Sequence, residues 1–294
     1  MIIDICVIGG GPAGLFSAYY AESRGMRTIL IEGSQELGGR INYFLDYPVY
    51  DVPGQFGQTG RQIRDALIEQ IQKSPATIVT EELVGEVQKV KDVFLVTTAK
   101  NKFVAKTVIS AVGNGFLLPK RLEKLQLSKT ICYDVPDFKE KLDGGVAILG
   151  HTPTAADWAI QFKANGNDVA LFPIKDLNLQ PILMKELEKL HVPIKPIERF
   201  EEADYDKVYC HIGTEKFSVK LDERVIQRDN GYTTLPGYFV AGDARFEQGK
   251  IKLIHGATHD AMQAVNAAKQ YLDQEATYQP IVSTHEPKFK EWNS

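Results

Sequence analysis

Gly9, Gly10, Gly11, Pro12, Ala13 and Gly14 follow directly on the largely apolar run Ile3–Ile8, and Glu32 closes the next apolar run, Thr28–Ile31. Residues of these types at this spacing form a dinucleotide clamp. Gly9 permits a tight bend, Gly11 lets a pyrophosphate approach the backbone, and Gly14 lets a helix pack closely on a strand. Exposed amides at the helix start then face the phosphate charge. The Glu32 carboxylate, about 20 residues beyond the glycines, accepts a hydrogen bond from a ribose hydroxyl and repels an adenosine 2′-phosphate. A glycine turn alone also arises for steric reasons, but strand, glycines, helix, strand and terminal acid together specify the clamp. On these residues the dinucleotide is FAD or NAD.

The elements that must position the clamp are legible around it. Ile5, Val7 and Ile8 read as a buried parallel strand, and Pro12 to Arg24 as the helix after it, with proline tolerated in the first turn. Leu37-Gly38-Gly39-Arg40 reads as a turn. Tyr43 to Gly54, rich in aromatics, proline and glycine, reads as a shaped loop, because the prolines restrict the backbone and Gly54 frees it. A helix is expected over 58–71, short strands of a meander at 77–79, 85–90 and 93–98, and a buried strand over 104–112 that ends in Gly113-Asn114-Gly115.

A second strand-turn-helix-strand unit begins near Gly145. Val146–Leu149 is its strand, 150–155 its turn, 156–163 its helix and Val169–Phe172 its next strand. Two such units predict an α/β fold of two doubly wound, Rossmann-like domains. Further on, 238–240 closes on Gly242-Asp243, which suits either a cofactor contact or a surface turn. A helix over 259–272 carries Ala261, Val265, Ala268 and Leu272 along one apolar stripe.

Composition narrows the function classes. With 294 residues, 44% of them hydrophobic, the chain is long enough for two cores, and a net charge of −4 offers no general attraction to nucleic acid or an anionic membrane. No apolar run approaches the roughly 18 residues of a membrane span, and the start runs straight into a strand, so cytoplasmic residence is expected. Cys6, Cys132 and Cys210 form no Cys-x-x-Cys pair and no metal-ligand pattern is present. Cys6, inside the first strand, reads as a small buried hydrophobe.

Taken together, the chain resembles the thioredoxin-reductase-like flavoproteins of the pyridine nucleotide-disulfide oxidoreductase superfamily, and among them the ferredoxin-NADP reductases of that type. The anchors are Gly9 to Gly14 with Glu32, Gly38-Gly39, Tyr47-Pro48, Tyr50-Asp51-Val52, Gly113-Asn114-Gly115, Tyr238 to Asp243 and Gly249-Lys250-Ile251-Lys252-Leu253-Ile254. The resemblance implies a discontinuous FAD-binding domain, 1–116 and 223–294, with an NAD(P)-binding-like domain, 117–222, inserted into it. It implies cofactor contacts from Gly9, Gly11, Pro12, Ala13, Gly14, Glu32, Gly39, Arg40, Tyr47, Asp51, Gly113, Gly242, Asp243, Lys252, Leu253 and Ile254. Lys252 to Ile254 would lie at the pyrimidine edge of the flavin, where a helix start stabilises the anionic reduced ring. Arg40 would either offset the FAD phosphates or remain solvated. Tyr50 and His285 are the flavin-stacking candidates, against ordinary core filling for Tyr50 and an idle tail for His285. Homodimerisation is implied as well.

Two departures bear on function. A single thiol in 131–137 cannot cycle as a dithiol, so a substrate reached at the flavin is expected rather than a disulfide within the inserted domain. The nicotinamide candidates are Gly150, Thr152, Thr154, Ala155 and Lys175, yet Thr152 stands where the family keeps the glycine that admits the pyrophosphate. Lys175, beside Asp176, replaces forked arginines with one point charge, which leaves NADPH or NADH open. The expected activity is electron passage between NAD(P)H and a small one-electron carrier, ferredoxin or flavodoxin, through the flavin N5. The alternatives are a ferredoxin-coupled flavoprotein reductase that no longer binds nicotinamide, and a non-catalytic flavin-binding sensor.

Overall fold

A computed structural model describes residues 2–122, 131–221, 227, 231–278 and 287–292. In chain order the first elements are β1 (Ile3–Ile8), α1 (Pro12–Ser23), β2 (Thr28–Ile31), β3 (Pro48–Val49), β4 (Gln58–Thr59), α2 (Gly60–Gln72), β5 (Thr77–Val79), β6 (Val84–Val90), β7 (Val93–Thr98) and β8 (Lys102–Ser110). Then come β9 (Phe116–Pro119), β10 (Val146–Leu149), α3 (Pro153–Ala164), β11 (Val169–Phe172), α4 (Pro181–Lys189), β12 (Lys207–Cys210) and β13 (Thr214–Phe217). The chain closes with β14 (Lys220–Leu221), β15 (Tyr238–Val240), α5 (Ile254–Leu272) and α6 (Lys288–Trp292). They form two compact units, Met1–Phe116 with Ser218–Ser294, and Leu117–Phe217.

In the first unit the strands run in the order β14-β6-β7-β8-β1-β2-β5, and β15 also pairs with β8. The long strand β8 changes partners along its length. Lys102 to Ala105 pair antiparallel with β7, and Val108 to Ser110 pair parallel with β15 on the edge that β7 leaves. Its other edge pairs parallel with β1 throughout Ala105 to Ser110. The parallel strands are apolar on both faces, as a sheet covered on both sides requires. Ile5, Val7, Leu30, Ile109 and Phe239 bury one face against Leu15 and Ala18 of α1 and Ala264, Val265 and Ala268 of α5. Cys6, Ile8, Ile31, Val108 and Val240 bury the other against Val87, Phe94 and Val96 of the meander. Small residues set the close approach of α1 and α5. A Leu15→Ala truncation in this core costs about 2–5 kcal/mol.

The structure corrects two expectations here. Residues 77–79 do not join the meander: β5 pairs parallel with β2 and extends the doubly wound sheet. The last helix starts at Ile254, five residues before the apolar stripe at 259–272 becomes regular, because its first turn is partly exposed and carries no periodic apolar signal.

In the second unit β10 lies between β11 and β12, all parallel. Trp158 and Phe162 of α3 and Leu187 of α4 cover one face with Ile148 and Leu171. Phe200 and Tyr205 cover the other, their rings 5.2 and 5.7 Å from that of Phe172.

Candidate functional site

The turn after β1 is shaped by backbone crowding. Gly9 has φ of +104°, and a Cβ on Gly14 would lie 1.7 Å from the Gly9 carbonyl oxygen, so only glycine fits there. Gly11 differs. It is the N-cap of α1, with φ of −77° and no side-chain cap, and a Cβ there would meet only the Gly39 Cα, at 3.8 Å. The first-turn amides of α1 therefore stand without a protein acceptor from the N-cap or an acid in the first turn, which is the electrostatic condition for holding a phosphate.

Glu32 is buried at the end of β2. Its Oε2 accepts from the Gly10 amide at 2.5 Å and its Oε1 from the Ser34 amide at 2.8 Å. A carboxylate has about four acceptor positions, so these two bonds leave capacity for a further donor. The side chain thus also ties the glycine turn to the second strand.

Residues from the far end of the chain meet this turn. A Cβ on Gly242 would come within 2.7 Å of the Ala13 Cβ, which places the turn Gly242–Ala244 against the start of α1. Arg40, 67% exposed, reaches Asp243 at 3.5 Å. As an exposed pair it adds little stability. Gly39 faces Gly11. Lys252 donates to Asn114 Oδ1 at 3.0 Å, which joins the turn at Gly113 to the segment Lys252–Leu253 ahead of α5. That helix, beginning at Ile254, also has no side-chain cap and no acid in its first turn.

Tyr50 lies in the loop between β3 and β4, 61% exposed, with its ring 5.2 Å from that of Phe56. It is not core filling. Tyr47 and Asp51 are likewise exposed on this hairpin. His285 lies outside the described residues.

Sequence reasoning missed a buried ionic network. Asp260 of α5, 5% exposed, accepts from Arg245 at 2.7 Å and from Lys250. Arg245 also donates to Gln263 at 2.9 Å and to Glu247 at 2.7 Å, and Lys250 to the Gly242 carbonyl at 2.5 Å. The signal available was a carboxylate inside an alanine-rich helix stripe, which needs a cationic partner when buried.

In the second unit, Gly150 follows β10 and Thr152 is the N-cap of α3, its Oγ1 accepting from the Ala155 amide at 3.2 Å. The same oxygen lies 2.6 Å from Nδ1 of His211 and 3.0 Å from the His211 carbonyl oxygen. Ala155 is buried, whereas Thr154 and Lys175 are exposed.

Residues 3–223 match the family of pyridine nucleotide-disulphide oxidoreductases. The chain belongs to that family. Within it, the chain is 30% identical to ferredoxin-NADP reductase 3 of Lysinibacillus sphaericus, over 99% of this chain and 96% of the relative. It is 32% identical to ferredoxin-NADP reductase 2 of Exiguobacterium sibiricum, over 99% and 95%. The fold is shared with bacillithiol disulfide reductase of Staphylococcus aureus, at a TM-score of 0.60 and 18% identity, covering 94% of this chain and all of that one.

The cysteines of this oxidoreductase are far from a dithiol arrangement. Cys132 pairs opposite Tyr209 beside β12 and packs on the Tyr209 face, whereas Cys210 packs on the other. Successive strand residues point to opposite faces, so the two thiols do not meet. Burial pushes the Cys6 and Cys210 thiols up to about 12, which removes their reactivity at neutral pH. Among the described residues no helix is long and apolar enough to cross a membrane.

Proposed function

We propose that this chain is an FAD-dependent oxidoreductase that passes electrons between a nicotinamide nucleotide and a small one-electron carrier, ferredoxin or flavodoxin. The observation that carries the reading is the convergence of an uncapped helix start, a buried ribose-type acid and the Gly242–Ala244 turn at one place in the first unit. The full-length relatives named ferredoxin-NADP reductase support the same activity.

The residues present fit FAD. In this reading the amides at Gly11 to Gly14 face the pyrophosphate, Glu32 accepts from the adenosine ribose, and Gly242 and Asp243 hold the pyrophosphate and ribityl region. Lys252, Leu253 and Ile254 line the pyrimidine edge, where the positive start of α5 favours an anionic reduced ring. Tyr50 offers an exposed aromatic face for stacking, and His285 is the candidate for the opposite face. Bound FAD supplies two-electron exchange with hydride donors and one-electron exchange with carriers. The protein's part is to bind, orient and exclude water, with no acid, base or nucleophile required at a side chain. The second unit, 117–222 in the sequence reading, is assigned to the nicotinamide nucleotide through Gly150, Thr152, Thr154, Ala155 and Lys175. A homodimer and a cytoplasmic setting belong to the same proposal.

The Thr152 cap favours a second version, in which electrons arrive from the carrier alone. Purified protein is expected to be yellow and to bleach anaerobically with reduced ferredoxin. Colourless protein that takes up no added FAD overturns the assignment, and sustained turnover with an acceptor excludes a non-catalytic sensor.

A further inference from the structure

The starts of α1 and α3 follow one backbone plan, and at the N-cap itself glycine in the first is threonine in the second. Each N-cap is extended, with φ of −77° at Gly11 and −90° at Thr152, and each is followed by proline at the first helical position. At Gly11 a Cβ would stand in nearly open space. At Thr152 the side chain turns inward and is saturated. A hydroxyl has one proton and two acceptor positions, and it finds three partners: it donates to the His211 carbonyl, accepts from the Ala155 amide and lies 2.6 Å from His211 Nδ1, a contact that the Nδ1–H tautomer completes.

His211 is itself held in place. Its amide donates to the Leu149 carbonyl at 2.9 Å, its ring stands edge-on to Trp158 at 5.3 Å, and Gly150 packs so closely that a Cβ would lie 2.3 Å from the His211 carbonyl oxygen. We propose that Thr152 and His211 form a latch over the start of α3, and that this latch makes the chain discriminate against nicotinamide dinucleotides. An entering pyrophosphate must take the Ala155 amide from Thr152 and break both bonds to His211.

The two histidines beside the latch do not offset that loss at neutral pH. Burial lowers the pKa of His211 against its own backbone hydrogen bond, with His151 adding to the lowering. Burial, then the charge of Lys175, lowers that of His151. Two neutral imidazoles give a phosphate no countercharge, which leaves Lys175, exposed and therefore screened by water, as the cation that acts on this turn. The inference rests on reading the second unit as a nicotinamide-type half, and it goes with the second version of the proposed function, in which electrons arrive from the carrier alone.

Calorimetric titration of NADP+ and of NAD+ into the holoprotein, Thr152→Gly and His211→Ala tests it. Thr152→Gly is expected to tighten the dissociation constant for at least one nucleotide about 10-fold or more, and His211→Ala, which keeps the helix cap, about threefold. Constants within twofold of wild type in a Thr152→Gly variant with an unchanged unfolding midpoint overturn the latch, as does micromolar binding of either nucleotide to the wild type. If Thr152→Gly fails to fold, His211→Ala decides, and no tightening there overturns it. Calorimetry reads nucleotide binding whether or not flavin is present, so colourless protein would remove the electron-transfer reading and leave the latch result standing.

Discussion

The amide of Gly10 donates to Glu32 Oε2 at 2.5 Å, so the acid expected to hold a ribose also fastens the glycine turn. A neutral amide at residue 32 must turn one N–H toward a backbone N–H. Glu32→Gln is therefore expected to lose about 1–3 kcal/mol of stability as well as cofactor affinity. Urea unfolding of the FAD-free protein checks the first effect, and FAD titration the second. A variant that loses only affinity would show that the turn needs no such tie.

Gly11 and Gly14 separate binding from folding. Gly14→Ala puts a methyl into the Gly9 carbonyl, and is expected to cost more than about 3 kcal/mol or to abolish soluble expression. Gly11→Ala meets no backbone within 3.4 Å, and is expected to leave the unfolding midpoint of the FAD-free protein nearly unchanged while FAD affinity falls. Equal losses of stability in the two variants would contradict this division.

The buried carboxylate of Asp260 faces two cations. Asp260→Asn leaves Arg245 and Lys250 without a buried countercharge and is expected to cost about 3–5 kcal/mol. Lys250→Met keeps the Arg245–Asp260 pair but frees the Gly242 carbonyl, so faster FAD release with a smaller stability loss is expected. Stopped-flow release of the flavin and denaturant midpoints distinguish the two variants.

Acid stability depends on Asp4. Burial pushes its carboxyl up, but hydrogen bonds from Lys106 and Arg27, aided by the charge of Lys106, together outweigh burial and hold it at about 2. The folded state binds the proton less readily than the unfolded chain, with its ordinary value of 3.8. The stabilisation is therefore full above about pH 4 and is lost as the pH falls toward 2. Asp4→Asn is expected to be less stable than wild type at pH 7, and the gap to close across that window in thermal unfolding scans.

The strands of both doubly wound units and the clamp from Gly9 to Glu32 were legible because apolar runs, glycines and a terminal acid carry local signals. What stayed hidden is non-local. Nothing near Thr77 distinguishes pairing with β2 from pairing in a meander, since a three-residue strand carries no periodicity. The Arg40–Asp243 pair joins residues that only the fold brings together. Thr152 was legible as an odd residue for a nucleotide turn, but its partner, His211, lies 59 positions away and carries no motif.

The shared edge of β8 imposes an order on biosynthesis. Its second half stays unpaired on one side until Tyr238–Val240 leave the ribosome, by which time the contiguous segment 117–217 is already complete. The inserted unit can thus mature first, while the unit that encloses it waits with a bare strand edge, the kind of edge that templates aggregation. Truncation before Tyr238 would leave that edge permanently open.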